Sequence, residues 1–262
     1  MPTLSAVEFE LVYNMLSLAI AAMLGSFAFF VMCRQQLAPR FRPAMIMSSL
    51  VVGIAGYHYW RIFGSWAEAY TLTEAGTYVA SGQPFNDAYR YVDWLLTVPL
   101  LCAELVAVLA LAPSLRKGLM GKLMIASALM IGLGYPGELA DATGTRALWG
   151  TLSTVPFLYI MYALFVQLSK ATADAAPEVK VLFRNTRLLL IGTWGFYPIA
   201  YMLPMIGLSG STAEVGLQVG YSIADILAKC GYGFMIYAIA RAKMDAEGIS
   251  INGTVSAPAT AK

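Results

Sequence analysis

The chain has 262 residues, of which 59% are hydrophobic and 12% charged, and its formal net charge is +2. Because soluble domains carry about 25% charged residues, this composition excludes an ordinary soluble protein and predicts one embedded in a membrane. The apolar runs are far longer than the ~9–11 residues of a membrane β-strand, which leaves transmembrane helices.

Seven apolar segments are long enough to cross a bilayer, which requires about 20 residues. We call them segments A to G, and they run over 9–33, 43–66, 85–112, 118–139, 145–169, 180–206 and 214–242. They predict an all-α membrane protein, a seven-transmembrane-helix bundle that forms a single domain over 1–243. Residues 244–262 are small and polar, and we expect a disordered cytoplasmic tail there.

The longest link, 67–84, joins segments B and C. Two β-prone runs, Thr71–Thr73 and Thr77–Val79, flank Glu74, Ala75 and Gly76 within it. This pattern predicts a short exposed hairpin.

The distribution of charge indicates an orientation. Basic residues gather at the A–B, C–D and E–F links and after segment G: Arg34, Arg40, Arg42, Arg116, Lys117, Lys122, Lys170, Lys180, Arg184, Arg187, Arg241 and Lys243. The opposite side is mainly acidic, with Glu8, Glu10, Glu68, Glu74, Asp87, Glu138, Asp141 and Glu214. The positive-inside rule then places the basic side in the cytoplasm, the N-terminus outside and the C-terminus inside.

Lys229 lies in the middle of segment G, where a charged side chain costs at least ~2.5–3.5 kcal/mol. A desolvated lysine can condense with a carbonyl group to form a Schiff base. Asp225 lies four residues earlier on the same helix face and is a candidate counter-ion.

Segment C carries four polar candidates, Arg90, Asp93, Thr97 and Glu104. Asp93 and Glu104 are eleven residues apart, which puts them on one helix face about 16 Å apart along the axis. A carboxylate on each side of a central amine suits one-way proton movement, with Asp93 as the outer acceptor and Glu104 as the inner donor. Structural ion pairs between helices are the alternative. They account for Asp93 with Arg90 but not for Glu104 among apolar neighbours.

His58 is the single histidine of the chain. It lies about 12 Å from the outer end of segment B, and Asp93 lies at a similar depth in segment C. We expect an imidazole that pairs with Asp93 and tunes its protonation. The alternative is a core histidine that bonds to a backbone carbonyl.

Aromatic residues crowd the same level of the predicted bundle. Trp94 adjoins Asp93, and Trp194 and Tyr197 share one face of segment F, next to Pro198. They are either ordinary core packing or the walls of a slot for a long flat ligand.

Three motifs resemble the microbial (type 1) rhodopsins over the whole seven-helix span. They are Arg90-Tyr91-Val92-Asp93-Trp94-Leu95-Leu96-Thr97-Val98-Pro99-Leu100-Leu101, Trp194-Gly195-Phe196-Tyr197-Pro198 and Asp225-Ile226-Leu227-Ala228-Lys229. The resemblance implies all-trans retinal bound covalently to Lys229, with Asp93 and Asp225 as counter-ions and Arg90 on the outward proton path. It also implies a set of retinal-binding residues: Trp94, Leu101, Ser153, Thr154, Phe157, Trp194, Tyr197 and Pro198.

The triplet Asp93, Thr97 and Glu104 resembles the bacterial outward proton pumps of the proteorhodopsin and xanthorhodopsin groups. The helix B histidine of these pumps is matched by His58, which strengthens the expected pairing with Asp93. Leu101 stands where proteorhodopsins with Leu absorb green light. Gly150 matches the small residue that opens a carotenoid window in xanthorhodopsin, although a glycine there also suits close helix packing.

The resemblance implies a light-driven outward proton pump, an ion transporter rather than an enzyme, in the bacterial inner (cytoplasmic) membrane. The expected partners are protons, the lipid bilayer and further copies of the chain in a trimer or pentamer, without nucleic acid or metal. A carotenoid is a possible second cofactor. A photosensory receptor that signals to a membrane partner is the main alternative, and a light-gated channel is a third.

Overall fold

The protein is described by a computed structural model that covers residues 1–109 and 113–255. Its α-helices are α1 (Ala6–Cys33), α2 (Arg42–Ala69), α3 (Ala88–Val108), α4 (Pro113–Glu138), α5 (Thr143–Tyr162), α6 (Leu168–Ala171), α7 (Pro177–Trp194), α8 (Phe196–Met202), α9 (Ser211–Asp225) and α10 (Tyr232–Ala246). Residues 110–112, the predicted end of segment C, lie outside the described residues.

Several of these helices join end to end. A π-helical turn, Ala163–Gln167, links α5 to α6, and a second, Ile226–Gly231, links α9 to α10. Gly195 alone separates α7 from α8. The described residues therefore form seven rods that correspond to segments A to G, and the predicted seven-helix membrane fold is confirmed.

Six rods of the described chain are long and apolar enough to cross a membrane. They are Ala6–Gln36, Ala88–Val108, Arg116–Glu138, Thr143–Gln167, Pro177–Ile206 and Ser211–Ala246. The remaining rod, α2, has 28 residues. Its second half is more polar because it carries Tyr57, His58 and Arg61, yet it packs against both α1 and α3 in the bundle.

A small antiparallel sheet covers one end of the bundle, which we call the sheet end. It contains β1 (Leu4–Ser5), β2 (Tyr70–Leu72) and β3 (Thr77–Ala80) in the order β1-β3-β2. The predicted hairpin is thus confirmed, with Gly76 at a φ of 76° in its turn. The strand β1 was not predicted, since two residues carry no readable alternation.

The opposite end, which we call the basic end, is closed by the last turn of α10 and the chain that follows it. Met244 is 2% exposed, and its Sδ accepts a hydrogen bond from the Ala38 amide at 3.2 Å. Ile249 packs on the main core and bridges to Val255. The expectation of a disordered tail from residue 244 is therefore wrong for 244–255, because Met244 and Ile249 find apolar cover. Residues 256–262 lie outside the described residues.

Candidate functional site

Lys229 is held between two carboxylates in the centre of the bundle. Its Nζ lies 2.8 Å from Asp225 Oδ1 and 3.1 Å from Asp93 Oδ2. All three side chains are buried, with exposures of 2% or less. Lys229 lies within the π-helical turn Ile226–Gly231, a rare geometry that is frequent at functional sites. One buried cation thus faces two buried carboxylates. Because the removal of charged groups from water costs free energy, these three residues form a candidate functional site.

The two carboxylates have unequal surroundings. The Tyr59 hydroxyl donates to Asp225 Oδ2 at 2.8 Å, and the Tyr197 hydroxyl donates to Asp225 Oδ1. Hydrogen bonds of this kind stabilise the charged form of a carboxylate. Among the described residues, neither oxygen of Asp93 receives a well-aligned hydrogen bond. Asp225 is therefore the better-stabilised anion, and Asp93 is the one freer to take up a proton.

His58 lies close both to a backbone carbonyl of its own helix and to Asp93. Its Nδ1 lies 3.0 Å from the Ile54 carbonyl oxygen, and because a carbonyl only accepts, the ring donates from Nδ1. The same atom lies 4.0 Å from Asp93 Oδ1. The imidazole is thus adjacent to Asp93, as its depth in segment B predicted, while its hydrogen bond goes to its own helix.

Replacement of His58 should change the titration of Asp93. In His58→Asn the neighbouring ring is lost, and the midpoint of the pH-dependent shift of the visible band should move by on the order of one pH unit, or ~1.4 kcal/mol. The measurement is an absorption titration after incubation with all-trans retinal, the chromophore that the sequence resemblance implies. Trp60→Phe is the matched control, because Trp60 lies on the same helix and is 62% exposed. If His58→Asn titrates like the wild type, His58 is a packing residue.

Arg90 and Thr97 are buried but do not bond to the Asp93 carboxylate. Thr97 Oγ1 donates to the Asp93 backbone carbonyl at 2.9 Å, within its own helix. Arg90 pairs with Asp87 and donates from Nη2 to Gln218 Oε1 at 2.7 Å. The structure therefore directs Arg90 towards the sheet end, away from the Asp93 carboxylate.

Glu104 is completely buried in the half of α3 nearest the basic end. Ser48 Oγ donates to Glu104 Oε2 at 2.5 Å. Within the described part of the chain, Glu104 Oε1 has no hydrogen-bond partner. Sequence reasoning missed Ser48, since a serine on another helix gives no signal by spacing.

An apolar cavity of about 300 Å³ is bordered by Lys229. All ten residues that the sequence assigned to a bound chromophore or its window line this cavity: Trp94, Leu101, Gly150, Ser153, Thr154, Phe157, Trp194, Tyr197, Pro198 and Lys229. The sequence missed twelve others: Tyr91, Val98, Met130, Ile131, Gly134, Ala147, Thr151, Tyr201, Met202, Met205, Tyr221 and Ala228. Most of these are ordinary apolar residues. Their spacing along the helices is the same as that of residues that only pack in a core.

Gly150 borders the cavity between α5 and α8. A Cβ built on Gly150 would lie 2.7 Å from Tyr201 Cε1, so a side chain there would displace the Tyr201 ring. The Tyr201 hydroxyl donates to the Arg146 carbonyl at 2.7 Å, which holds the ring in place. The absence of a side chain at Gly150 is therefore required by the close approach of Tyr201.

The described residues thus combine a seven-helix membrane bundle with a buried lysine, two carboxylates and an apolar cavity. A profile of the bacteriorhodopsin-like proteins matches residues 10–243, and the chain belongs to this family. The crystal structure of a thermophilic rhodopsin is 52% identical with a TM-score of 0.92, covering 95% of this chain and 100% of that one. Xanthorhodopsin, described as a light-driven ion pump with dual chromophore, is 54% identical with a TM-score of 0.91, covering 95% and 99%.

A green-light absorbing proteorhodopsin from the gamma-proteobacterium EBAC31A08 is a more distant relative. It is 30% identical over 226 residues, which are 85% of this chain and 84% of that protein.

Proposed function

We propose that this protein is a light-driven outward proton pump with retinal bound covalently to Lys229. The observation that carries the proposal is the placement of Lys229, which lies 3.1 Å from Asp93 and 2.8 Å from Asp225 and lines an apolar cavity. The cavity suits a long polyene, and the two carboxylates suit a cationic linkage. Bound retinal would supply light absorption and isomerisation next to the lysine nitrogen.

The residues of the chain would then move the proton in steps. Asp93 accepts the proton that leaves the Lys229 nitrogen, because Asp93 is in contact and its oxygens are not stabilised by other donors. Asp225 stays charged between Tyr59 and Tyr197. Glu104 returns a proton to the lysine nitrogen from the basic end. Its burial shields this proton from water until the transfer occurs.

The direction of transport depends on the orientation of the bundle. Asp93 lies in the half of α3 nearest the sheet end, and Glu104 lies in the half nearest the basic end. The positive-inside rule makes the basic end cytoplasmic, so protons leave towards the outside. Xanthorhodopsin, which shares 54% of its residues with this chain, is a light-driven ion pump, and this supports the proposed activity.

A pH electrode in a suspension of expressing cells supplied with retinal tests the proposal. Illumination should acidify the medium, and a protonophore should abolish the change. Alkalinisation would mean inward transport. A bleachable visible pigment without any pH change would favour a photosensory receptor.

We also propose that a carotenoid can act as an antenna beside Gly150. The cavity wall there includes Thr151, Thr154 and Met202, which are exposed at the outer surface of the bundle between α5 and α8. The dual chromophore of xanthorhodopsin supports a second pigment in this chain.

Gly150→Trp should remove the antenna but not the pump. An indole there would fill the gap and collide with Tyr201, so energy transfer from an added hydroxylated carotenoid should disappear while pumping under green light persists. The measurement is the action spectrum of pumping with and without carotenoid. Gly144→Trp is the matched control, because a Cβ on Gly144 would meet open space on the same helix. A carotenoid response that survives Gly150→Trp would place the pigment elsewhere.

A further inference from the structure

A second cavity lies at the basic end, between the end of α1 and the start of α2. Its volume is about 480 Å³, and we call it the arginine cavity after two of its lining residues, which are Arg34, Gln35, Arg42 and Ile46. It shares no described lining residue with the cavity at Lys229. Because it lies where two rods of the membrane bundle end, the arginine cavity is placed at the level of the lipid headgroups.

The two arginines of this cavity differ in how firmly they are held. Arg42 Nε donates to the Leu37 carbonyl at 3.0 Å, and its Nη2 donates to the Ile251 carbonyl at 3.3 Å. Both acceptors are neutral, so the guanidinium is oriented but its charge is not compensated. Within the described part of the chain, the Arg34 side chain makes neither a hydrogen bond nor an ion pair. The cavity therefore carries two positive charges and at least one free guanidinium group.

The acidic residue that approaches the same link is already engaged. Glu247 pairs with Arg40, and its other carboxylate oxygen lies 3.8 Å from Lys243 Nζ. No ion pair joins Arg34 or Arg42 to a carboxylate of the described residues. An anion from outside the chain is thus the group that the arginine cavity lacks.

An apolar track leads from the cavity towards the middle of the membrane. Ile46 lines the cavity and is 42% exposed, and Leu50, which follows four residues later on the same face of α2, is 48% exposed. Met32, at the end of α1, is 66% exposed. In a membrane bundle, exposed apolar side chains such as these lie against lipid acyl chains. A soluble anion would use the arginines alone, whereas a phospholipid would use the arginines and the track.

We propose that the arginine cavity binds one anionic phospholipid, with its phosphate on Arg34 and Arg42 and an acyl chain along Ile46 and Leu50. Guanidinium groups bind phosphate oxygens through pairs of parallel N–H bonds. Basic pockets between transmembrane helices are typical sites for anionic headgroups. Because Arg42 also bonds to Ile251, the bound lipid would join α1, α2 and the chain after α10. This inference is independent of the direction and mechanism of ion transport.

Native mass spectrometry of the full chain in detergent tests the proposal by measuring the affinity for the first bound phosphatidylglycerol. The wild type should bind it more tightly than phosphatidylcholine. Each basic residue near an anionic headgroup contributes on the order of fivefold, so Arg34→Gln combined with Arg42→Gln should weaken binding by about 25-fold. Arg34→Gln alone should weaken it by about fivefold without disturbing the fold, since the Arg34 side chain has no partner among the described residues.

Arg116→Gln combined with Lys117→Gln is the matched control. It removes the same charge from two exposed residues at the same end, and it should leave the affinity for the first lipid unchanged. Equal losses in the control and in the cavity variant would show general surface attraction and overturn the proposal. A wild type that does not prefer phosphatidylglycerol to phosphatidylcholine would also overturn it.

A competition experiment separates a lipid from a soluble phosphate. Ile46→Ser combined with Leu50→Ser should weaken binding of phosphatidylglycerol, and inorganic phosphate at constant ionic strength should not displace the lipid. If inorganic phosphate displaces the lipid and the serine variant binds it like the wild type, the cavity is a site for a soluble anion and the lipid assignment is wrong. As a second readout, phosphatidylglycerol should raise the Tm of the wild type more than that of Arg34→Gln, because a ligand stabilises the folded state that binds it.

Discussion

Lys229→Ala should give a colourless protein after retinal is added. The amine at position 229 is the atom that would bond covalently to the chromophore, and within the described cavity lining Lys229 is the lone lysine. The visible band should be lost completely, as should light-driven acidification. The measurement is the absorption spectrum of the purified protein after incubation with all-trans retinal.

Lys243→Ala is the matched control for this result. Lys243 is partly buried near the basic end and donates to the Leu109 carbonyl at 2.8 Å, far from the cavity. Its loss should leave the colour intact. A visible chromophore in Lys229→Ala would refute the attachment site and, with it, the roles given to Asp93 and Asp225.

Glu104→Gln should slow the return of the proton to the Lys229 nitrogen by about 10²–10⁴-fold, the usual contribution of a positioned acid–base group. Glutamine keeps the shape of the side chain and can still accept the hydrogen bond from Ser48. The first transfer, from Lys229 to Asp93, should be unaffected. Recovery should also become dependent on the external pH, because the proton must then come from water.

Flash photolysis of the visible band measures both transfers in one trace. Glu247→Gln is the control, since Glu247 is a carboxylate at the basic end with a side chain that is 41% exposed. Wild-type recovery in Glu104→Gln would show that Glu104 is not the donor.

Much of the site was predictable because it follows from helical spacing. Asp225 and Lys229 are four residues apart on one helix, and their ion pair of 2.8 Å follows from that spacing. The contact between Asp93 and Lys229 joins two different helices. Both residues could still be identified, because a charged side chain in an apolar segment costs free energy. The seven rods followed from length and hydropathy alone.

Contacts between helices made by ordinary residues could not be predicted in the same way. Tyr59 donates to Asp225, a partner 166 positions away, and nothing in the sequence separates Tyr59 from other core tyrosines. Ser48 on Glu104 and Gln218 on Arg90 are further examples. The alignment of neighbouring rods determines which of these side chains meet, and a single sequence does not specify that alignment.

The tail and the side chain of His58 are two further features that the sequence did not predict fully. Residues 244–262 were interpreted as small and polar, yet Met244 accepts a hydrogen bond from Ala38 and Ile249 packs on the main core. The depth of His58 was predicted from helix geometry, but its rotamer, which determines whether Nδ1 bonds to Ile54 or Asp93, depends on local packing.

Photovoltage recording detects the net outward movement of a proton in each light-driven cycle. Membranes that contain the wild-type protein in one known orientation are attached to a planar film and excited by a single flash. We expect a net displacement of positive charge from the basic end to the sheet end. Its phases should coincide with the uptake of a proton by Asp93 and with the transfer of a proton from Glu104 to the Lys229 nitrogen. Charge that returns fully within the cycle, or that moves towards the basic end, would contradict outward proton pumping.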